Sequence, residues 1–281
     1  MISIIKAPRL SVRYRVKAFF RFSLHKYDLE LLKLIQCYFE GAGNTGESRT
    51  QGYSSYTVSS LEEITKVIIP HFYKYPLISQ KHADYLLFRK AVMIMKNKEH
   101  LTEEGLKAII NIRASLNNGL TEVLKEAFPK TISVKRPAVV NQVVPHPQWL
   151  AGFTSAEGNF FINTYKAKTK TGVGIKLVFR ITQHIRDEAL MSSFISYFGC
   201  GKVYKKTDKD AVDFMTTGFL DLTDKVLPFY TKYPILGKKS KDFQDFCIIA
   251  ELMKGKKHLN HEGIEQILKI KAIMNRGRIT T

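Results

Sequence analysis

The sequence contains few cysteines and no long apolar run. Its three cysteines, Cys37, Cys200 and Cys247, form no CxxC pair and no zinc-ligand spacing. This excludes a disulfide framework and a cysteine-based zinc site, and it indicates a reducing compartment. No apolar stretch approaches the roughly 18 residues that a membrane-spanning helix needs, so we expect no membrane partner.

Acidic residues are also scarce. The 281 residues include 44 Lys and Arg but only 25 Asp and Glu, which gives a formal net charge of +19. Such a charge favours a polyanionic partner, most commonly nucleic acid. The first 27 residues hold seven Lys or Arg and no acid. Their bases alternate with apolar residues at a period of two, which predicts a β-strand rather than a transit peptide.

The chain contains an internal duplication. "FRFSLHKYD" at 20–28 matches "FRITQHIRD" at 179–187, and "KYPLISQKHADYLLF" at 74–88 matches "KYPILGKKSKDFQDF" at 232–246. The two matches are displaced by 159 and 158 positions and occur in the same order. A near-constant displacement identifies a tandem repeat of one structural unit.

The pattern within each copy predicts an α+β unit. Each copy begins with a hairpin of two long strands, followed by a helix near 28–39 or 187–198, a second hairpin, and two or three helices that cover one sheet face. Prolines between the copies indicate an extended linker. We expect an N-terminal half-domain, a linker and a C-terminal half-domain at 1–128, 129–146 and 147–281.

The strands carry a basic face in both copies. In the second copy, Lys176, Arg180 and Thr182 alternate with apolar residues, and the turn "KAKTKTG" at 166–172 adds three lysines. The outward set of the first copy is Arg13, Arg15, Lys17, Phe19, Arg21 and Ser23. A two-stranded ribbon fits the DNA major groove, where Arg and Lys reach guanine edges and phosphates. We therefore expect double-stranded DNA to bind these faces.

The segment "WLAGFTSAEGNFF" at 149–161 has no earlier copy in the chain. Ala151, Gly152, Ser155 and Ala156 form a small-residue face at helical spacing, which allows two helices to approach closely. Glu157 ends the predicted helix, where a carboxylate faces the negative end of the helix dipole. A divalent cation such as Mg²⁺ would offset that cost, and a second helix of this kind would bring two carboxylates together.

These motifs resemble the LAGLIDADG homing endonucleases. "LAGFTSAEG" at 150–158 looks like the family motif, and "KLVFRITQH" at 176–184 and "KYPLISQK" at 74–81 resemble single-chain members encoded in fungal mitochondrial introns. The resemblance implies two pseudo-symmetric αββαββα half-domains that form a saddle over DNA. It also implies a monomer that cuts both strands of a target of roughly 20 base pairs with Mg²⁺, and mitochondrial localisation.

The resemblance also implies roles for individual residues. Glu157 would ligate the metal, Gln183 would position solvent near the scissile phosphate, and Lys239 and its first-copy equivalent Lys81 would supply the nearby basic group. The DNA-facing positions of the second copy are Asn159, Phe161, Asn163, Tyr165, Lys168, Lys170, Lys176, Arg180, Thr182, Lys202, Tyr204, Lys206, Asp213, Met215 and Thr217. Those of the first copy add Ser3, Ile5 and Arg9 in its opening strand to the outward set given above.

The first family motif is absent from this sequence. Aligning "YKA" at 165–167 with "IKA" at 5–7 places the partner of Glu157 before Met1. Either the native product extends upstream of Met1, or the gene has lost its first helix and acid. The repeat fades abruptly at Met1, which favours the first account. Without a second carboxylate, we expect cleavage of one DNA strand to be impaired.

Two other functions are compatible with the same fold. An intron maturase would bind host intron RNA and assist splicing, and it could keep the basic surface without catalytic acids. A DNA-binding relic of the nuclease would bind duplex DNA without cleaving it. Glu157 favours retained nuclease chemistry over both alternatives.

Overall fold

The computed structural model describes residues 1–48 and 50–280, with the main chain alone at 279 and 280. Residue 281, where the second predicted half-domain ends, therefore lies outside the described part. The chain divides into two compact units, Met1–Asn141 and Gln142–Thr281. Each unit combines helices with antiparallel strands in the same order, so the α+β prediction and the repeat are confirmed.

The elements of the first unit form two small sheets and a set of helices. Its strands are β1 (Ile2–Lys6), β2 (Tyr14–Ala18), β3 (Phe20–His25), β4 (Asn44–Glu47) and β5 (Tyr53–Val58). Its helices are α1 (Leu29–Tyr38), α2 (Leu61–Glu63), α3 (Ile69–Lys74), α4 (Lys81–Lys96), α5 (Glu103–Ala114) and α6 (Glu122–Ala127). The sheets have the strand orders β1-β2 and β3-β5-β4.

The second unit contains one continuous sheet with the strand order β6-β7-β9-β8. Its strands are β6 (Gly158–Lys166), β7 (Val173–His184), β8 (Lys202–Lys205) and β9 (Ala211–Thr216). Its helices are α7 (Pro147–Glu157), α8 (Glu188–Phe198), α9 (Phe219–Asp221), α10 (Leu227–Lys232), α11 (Lys239–Lys254), α12 (His261–Ile273) and α13 (Arg276–Thr280).

The two units differ in the second strand of the first hairpin. β7 runs without interruption and pairs with β6 on one side and β9 on the other. In the first unit this strand is divided at Phe19 into β2, which pairs with β1, and β3, which pairs with β5. The long second strand predicted for the first copy is therefore two shorter strands, while the direction of pairing is the same.

Helices cover one face of each sheet because their apolar residues recur at helical spacing. In α4, Leu87, Ala91 and Met95 lie four residues apart and are all buried. Below the second sheet, Phe160 and Phe179 are fully buried, with ring centroids 4.8 Å apart. Burial of such side chains contributes about 1.5–3 kcal/mol each, so these helices fix which face of each sheet remains outside.

Both units widen a helix at the same place. A π-helical turn at Ile64–Ile68 joins α2 to α3, and another at Leu222–Val226 joins α9 to α10. Pro70 and Pro228 follow these turns in the first turn of α3 and α10. Proline lacks the N–H that would close an ordinary helical turn and crowds the preceding one, which accounts for the wider turn in each repeat.

Part of the segment between the repeats is held on the first unit. Arg136 donates to the Asp84 carboxylate at 2.7 Å and to the carbonyls of Gln80 and Ser115 at 2.9 and 3.1 Å. The Ser115 hydroxyl in turn donates to the Val134 carbonyl at 2.6 Å. Although this segment forms no helix or strand, residues 134–136 therefore belong structurally to the first unit.

In each unit, an arginine forms an ion pair with a buried aspartate. Asp242, the counterpart of Asp84, accepts from the Asn275 N–H at 2.9 Å and from Arg278 at 3.0 Å. Burial raises the pKa of Asp84, but hydrogen bonds from Arg136 and the Asn117 N–H and the charges of Arg136 and Lys81 outweigh it and hold that pKa below its ordinary value. The ionised form of Asp84 therefore stabilises the fold.

No helix in residues 1–48 and 50–280 is long and apolar enough to cross a membrane.

Candidate nucleic-acid interface and catalytic centre

The outer face of the second sheet brings most of the predicted DNA-facing residues together. Cross-strand pairing sets Asn159 opposite Arg180, Asn163 opposite Lys176, and Met215 opposite both Arg180 and Lys202. Most of the intervening residues of β6 and β7, such as Phe160, Ile162, Leu177 and Phe179, are buried in the core. The alternation read from the sequence therefore places Asn159, Phe161, Asn163, Tyr165, Lys176, Arg180, Thr182, Lys202, Tyr204, Asp213 and Met215 on one face.

Two residues assigned to strands by resemblance lie just outside them. Lys206 follows β8 and Thr217 follows β9. Both are partly exposed. Lys206 remains directed at this face because its ammonium lies 3.2 Å from an Asp213 carboxylate oxygen.

Charged groups on this face are organised around Asp213, which is only 8% exposed. The Thr182 hydroxyl donates to one carboxylate oxygen at 2.5 Å, and Lys206 lies near the other. Arg180 reaches within 3.9 Å of the carboxylate and stacks over the Phe161 ring at 5.0 Å from its centroid. Asp213 therefore contacts its neighbours on the face more than it contacts solvent.

In each unit, a basic turn joins the two strands of the first hairpin. Lys168 and Lys170 are exposed in the turn between β6 and β7. Gly172, at φ 70°, closes this turn by accepting from the Ala167 N–H at 3.0 Å. In the first unit Arg13 takes the corresponding place, with φ 55° and a 2.7 Å bond to its carbonyl from the Ala7 N–H.

Arg9 and Arg13 were expected in strands, and both predictions of secondary structure are wrong. β1 ends at Lys6 and β2 begins at Tyr14, so both arginines lie in the intervening turn. Both side chains are exposed there. Their positive charges therefore lie at the tip of the hairpin and not along its strands.

The strands of the first unit present the rest of its predicted set outward, except Phe19, which lies at the break between β2 and β3 and is partly exposed. Pairing places Ser3 opposite Lys17 and Ile5 opposite Arg15. Arg15, Lys17, Arg21 and Ser23 are exposed. Arg21 donates to the Thr57 hydroxyl at 2.8 Å and lies 5.8 Å from the centroid of the Phe19 ring.

Helix α7 carries Glu157 as its last residue, with the side chain exposed. Gly158 then changes to an extended backbone (φ −74°, ψ 157°) and begins β6. A Cβ on Gly158 would lie 2.4 Å from the Thr154 methyl carbon and 2.8 Å from its carbonyl oxygen. The helix can therefore turn directly into the strand only with glycine at this position.

Lys239 secures the end of this helix. Its ammonium donates to the Ala156 carbonyl at 2.9 Å and to the Thr154 carbonyl at 3.2 Å. Helix C-termini carry partial negative charge, so a lysine here stabilises both the helix end and a neighbouring carboxylate. The Leu236 N–H also donates to the Ser155 hydroxyl at 3.0 Å, which ties the preceding loop to the same helix.

Gln183 lies near the same end of the sheet. Gly158, which follows Glu157, pairs with Ile181, and β7 continues past that pair through Thr182 and Gln183. Gln183 is half-buried and has the core-facing parity of β7, opposite to that of Thr182. Gln183 is therefore related to Glu157 by its position, two residues beyond the partner of Gly158 on β7, and not by a shared face of the sheet.

Lys81 differs from Lys239 in its contacts. Its ammonium donates to the Asn117 side chain at 3.2 Å and lies 3.5 Å from Asp84. The equivalence of the two lysines in sequence is therefore accompanied by different partners in each unit.

The family model described as LAGLIDADG endonuclease matches residues 1–92 and 150–250, which together exceed half of the chain. The chain belongs to the LAGLIDADG endonuclease family.

Two curated relatives come from Neurospora crassa. Probable intron-encoded endonuclease 3 is 42% identical over 263 residues, which cover 93% of this chain and 49% of the relative. Probable intron-encoded endonuclease 2 is 36% identical over 281 residues, which cover 96% of this chain and 61% of the relative. The chain thus spans about half to three fifths of the length of these relatives.

A solved structure in the family has nearly the same fold. The I-SmaMI LAGLIDADG homing endonuclease bound to cleaved DNA matches with a TM-score of 0.97 and 41% identity, over 99% of this chain and 93% of that chain. The same endonuclease bound to an uncleaved DNA target in the presence of calcium ions matches with a TM-score of 0.96 and 41% identity, over 98% and 94%.

The LAGLIDADG endonucleases generally use divalent cations, and the chemistry around Glu157 suits one. Among the described residues, no group of three or more His, Cys, Asp or Glu is placed to hold a metal ion. Mg²⁺ needs few protein ligands, because it is commonly bound by one or two carboxylates together with water and substrate phosphate. An exposed Glu157 carboxylate next to a basic sheet face fits that mode of binding.

Sequence reasoning missed the contacts that hold α7 in place. The Thr154 hydroxyl is buried and hydrogen-bonded to the Tyr230 hydroxyl at 2.7 Å. Burial raises the pKa of Tyr230 well above its ordinary value, so this phenol stays neutral. Nothing in the local sequence signals this pair, since its members lie 76 positions apart.

Proposed function

We propose that this protein is a sequence-specific homing endonuclease that cleaves double-stranded DNA with Mg²⁺ or another divalent cation. The observation that carries the proposal is the position of Glu157. Glu157 ends α7 and immediately precedes β6, the strand that pairs with the part of β7 carrying Lys176 and Arg180 on the outer face. A phosphodiester bound along that face would pass close to this carboxylate.

The functional residues of the second unit fall into two groups, one that would bind DNA and one that would take part in cleavage. The Lys and Arg side chains of the sheet and of the turn at 166–172 would neutralise phosphates and contact the edges of DNA bases in the major groove. Glu157 would hold the metal, and Gln183 would orient the attacking water. Lys239 would hold the end of α7 and place positive charge near the phosphate. When bound, a divalent cation stabilises charge on the phosphate and lowers the pKa of its water.

The relatives support a proposal for the cellular setting. Their names describe them as intron-encoded, and both come from a fungus. We propose that this protein acts as a monomer in mitochondria on an intron-insertion site. The predicted half-domains 1–128 and 147–281 would each contact one half of that site.

Cleavage of a selected DNA target tests the proposal. Targets are first selected from a library of randomised duplexes bound in Ca²⁺, then cloned into a supercoiled plasmid and incubated in Mg²⁺. We expect nicked or linear product from the unmodified chain. Glu157→Gln should abolish cleavage of the strand that Glu157 serves while leaving the affinity for DNA within about threefold, because it preserves shape and removes only the charge.

Glu251→Gln on the exposed surface of α11 is the matched control. It makes the same chemical change away from the sheet and should cleave normally. Target binding without cleavage in any divalent metal, unchanged by Glu157→Gln, would overturn the nuclease proposal. In that case, specific affinity for the host intron RNA would identify a maturase.

A further inference from the structure

Asp213 is a buried acid in the middle of a basic face. Its Cα neighbours across the sheet are Thr182 on β7 and Tyr204 on β8, so it occupies an interior strand and not an edge. Both of its carboxylate oxygens have partners: Thr182 donates to one, and Lys206 lies 3.2 Å from the other. With its two oxygens engaged and only 8% of the residue exposed, Asp213 presents little surface to a base edge.

Electrostatics also argues against a direct DNA contact. A carboxylate facing phosphates adds repulsion to an interface whose affinity comes mainly from Lys and Arg. Within the sheet, the same charge attracts Arg180 and Lys206 and reduces the number of positions their long side chains occupy. Ordering these side chains before binding lowers the entropy lost when they contact DNA.

The Arg180 side chain shows what this ordering accomplishes. Its guanidinium lies between the Phe161 ring and Asp213, at 5.0 Å from the ring centroid and 3.9 Å from the carboxylate oxygen. Its Nε is buried without a hydrogen-bond partner, and so is Oδ1 of Asn159, the residue directly across the strand pair. A donor and an acceptor on paired residues thus have no hydrogen-bond partner in the protein, while the guanidinium is held by the ring and the carboxylate.

In the first unit, an uncharged partner holds the equivalent arginine. Arg21, which aligns with Arg180 in the repeat, donates to the Thr57 hydroxyl at 2.8 Å. Ser55 occupies the strand position that corresponds to Asp213, opposite Ser23. An acid at this position is therefore not required by the fold, since the first unit forms the same strand pairing without one.

We propose that Asp213 is a positioning residue that sets the base selectivity of the second unit by ordering Arg180 and Lys206, without itself contacting DNA. This inference rests on the proposed binding of DNA to the sheet. It replaces the assignment of Asp213 as a direct DNA contact that family resemblance implies.

Selection from one randomised duplex library in Ca²⁺, with sequencing of the bound fraction, tests the proposal. For Asp213→Asn we expect a roughly tenfold fall in base preference at the base pairs that the unmodified protein selects through Arg180. A tenfold change is on the scale of one good base contact. Preferences elsewhere should be unchanged. Affinity for DNA of random sequence should rise, because a negative charge has been removed.

Asp208→Asn is the matched control, since it removes one charge from the exposed turn between β8 and β9. It should raise affinity for random DNA without changing base preference. In the Arg180→Ala background, Asp213→Asn should cause no further loss of preference at the base pairs selected through Arg180, because the two residues act there as a unit. Circular dichroism melting verifies folding, and Asp213→Ser, which copies Ser55, replaces the asparagine variant if that variant unfolds.

The outcomes separate the two proposals. If the unmodified protein enriches no sequence, sequence-specific binding itself fails. If it enriches a target and neither Asp213→Asn nor Asp213→Ser alters the preference, the positioning role is overturned. An equal loss of preference at every position would also overturn it, and so would an additive loss in the Arg180→Ala background at the base pairs selected through Arg180.

Discussion

The Lys239 ammonium donates a 2.9 Å hydrogen bond to the main-chain carbonyl of Ala156, the residue immediately before Glu157. A side chain from the first turn of α11 thus holds the last turn of α7. The carboxylate we assign to metal binding is positioned by a lysine 82 residues further along the chain.

Replacing Lys239 should impair cleavage more than binding. Lys239→Met keeps most of the apolar stem but removes both the charge and the bonds to α7. We expect the single-turnover cleavage rate to fall about 100-fold, on the scale of losing one preorganised electrostatic group, while Kd for the target in Ca²⁺ changes less than about threefold. Lys241→Met, two residues along the same helix and exposed, is the control. Equal effects of the two substitutions would contradict a specific role for Lys239.

The turn lysines should affect affinity without affecting base preference. Lys168 and Lys170 are exposed at a hairpin tip, where they would meet phosphates. Their double replacement by Ala should reduce the slope of log K against log salt by about 2. Titration of one duplex at several salt concentrations measures this slope. Replacement of Lys254 and Lys269, which lie on helices α11 and α12, should leave it unchanged.

Asp84 should make the first unit sensitive to acid. Because its folded-state pKa lies below the ordinary value, its stabilisation is present above the unfolded pKa of about 4 and is lost as the pH falls through that value toward the folded pKa. Asp84→Asn should lower the free energy of unfolding by about 1–3 kcal/mol at pH 7 and reduce its decline in acid. Urea denaturation at pH 7 and pH 3 measures both quantities. An unaltered pH dependence would contradict this assignment.

The helix-to-strand transition at Gly158 should not accept a side chain. Gly158→Ala would place a methyl group against Thr154 and should destabilise the protein by about 1–3 kcal/mol. Gly152→Ala in the same helix is the contrasting change, since a Cβ there has no neighbour within 4 Å. Helix propensity predicts that this second change stabilises the protein by up to about 1 kcal/mol. Thermal melting of both variants provides the comparison, and the reverse order of stability would contradict it.

Period-two alternation was sufficient to predict the outer face of the second sheet. Lys176, Arg180 and Thr182 fall on one side because successive residues of a strand must point to opposite faces. The repeat likewise predicted the order of the elements, since equivalent sequences meet equivalent packing requirements. These features depend on neighbours in sequence or on the repeat itself.

Features that depend on distant contacts could not be predicted in this way. The interruption at Phe19 follows from how β2 and β3 pair with different strands. The burial of Asp213 depends on Thr182 and Lys206, which approach it from two other segments. Alternation identifies the face on which a residue lies, but it does not identify which charged neighbours will neutralise it.

The hairpin tip of the first unit carries a conformational cost that its counterpart avoids. Arg13 adopts a left-handed backbone, at φ 55°, where Gly172 serves in the second unit. A residue with a Cβ is disfavoured there by about 1–2 kcal/mol relative to the right-handed conformation. The chain is therefore less stable than a glycine at this turn would make it, and what it gains is one more cation at the hairpin tip. Thermostability and target affinity are coupled at this turn, so an engineer who optimised one of them here would lose some of the other.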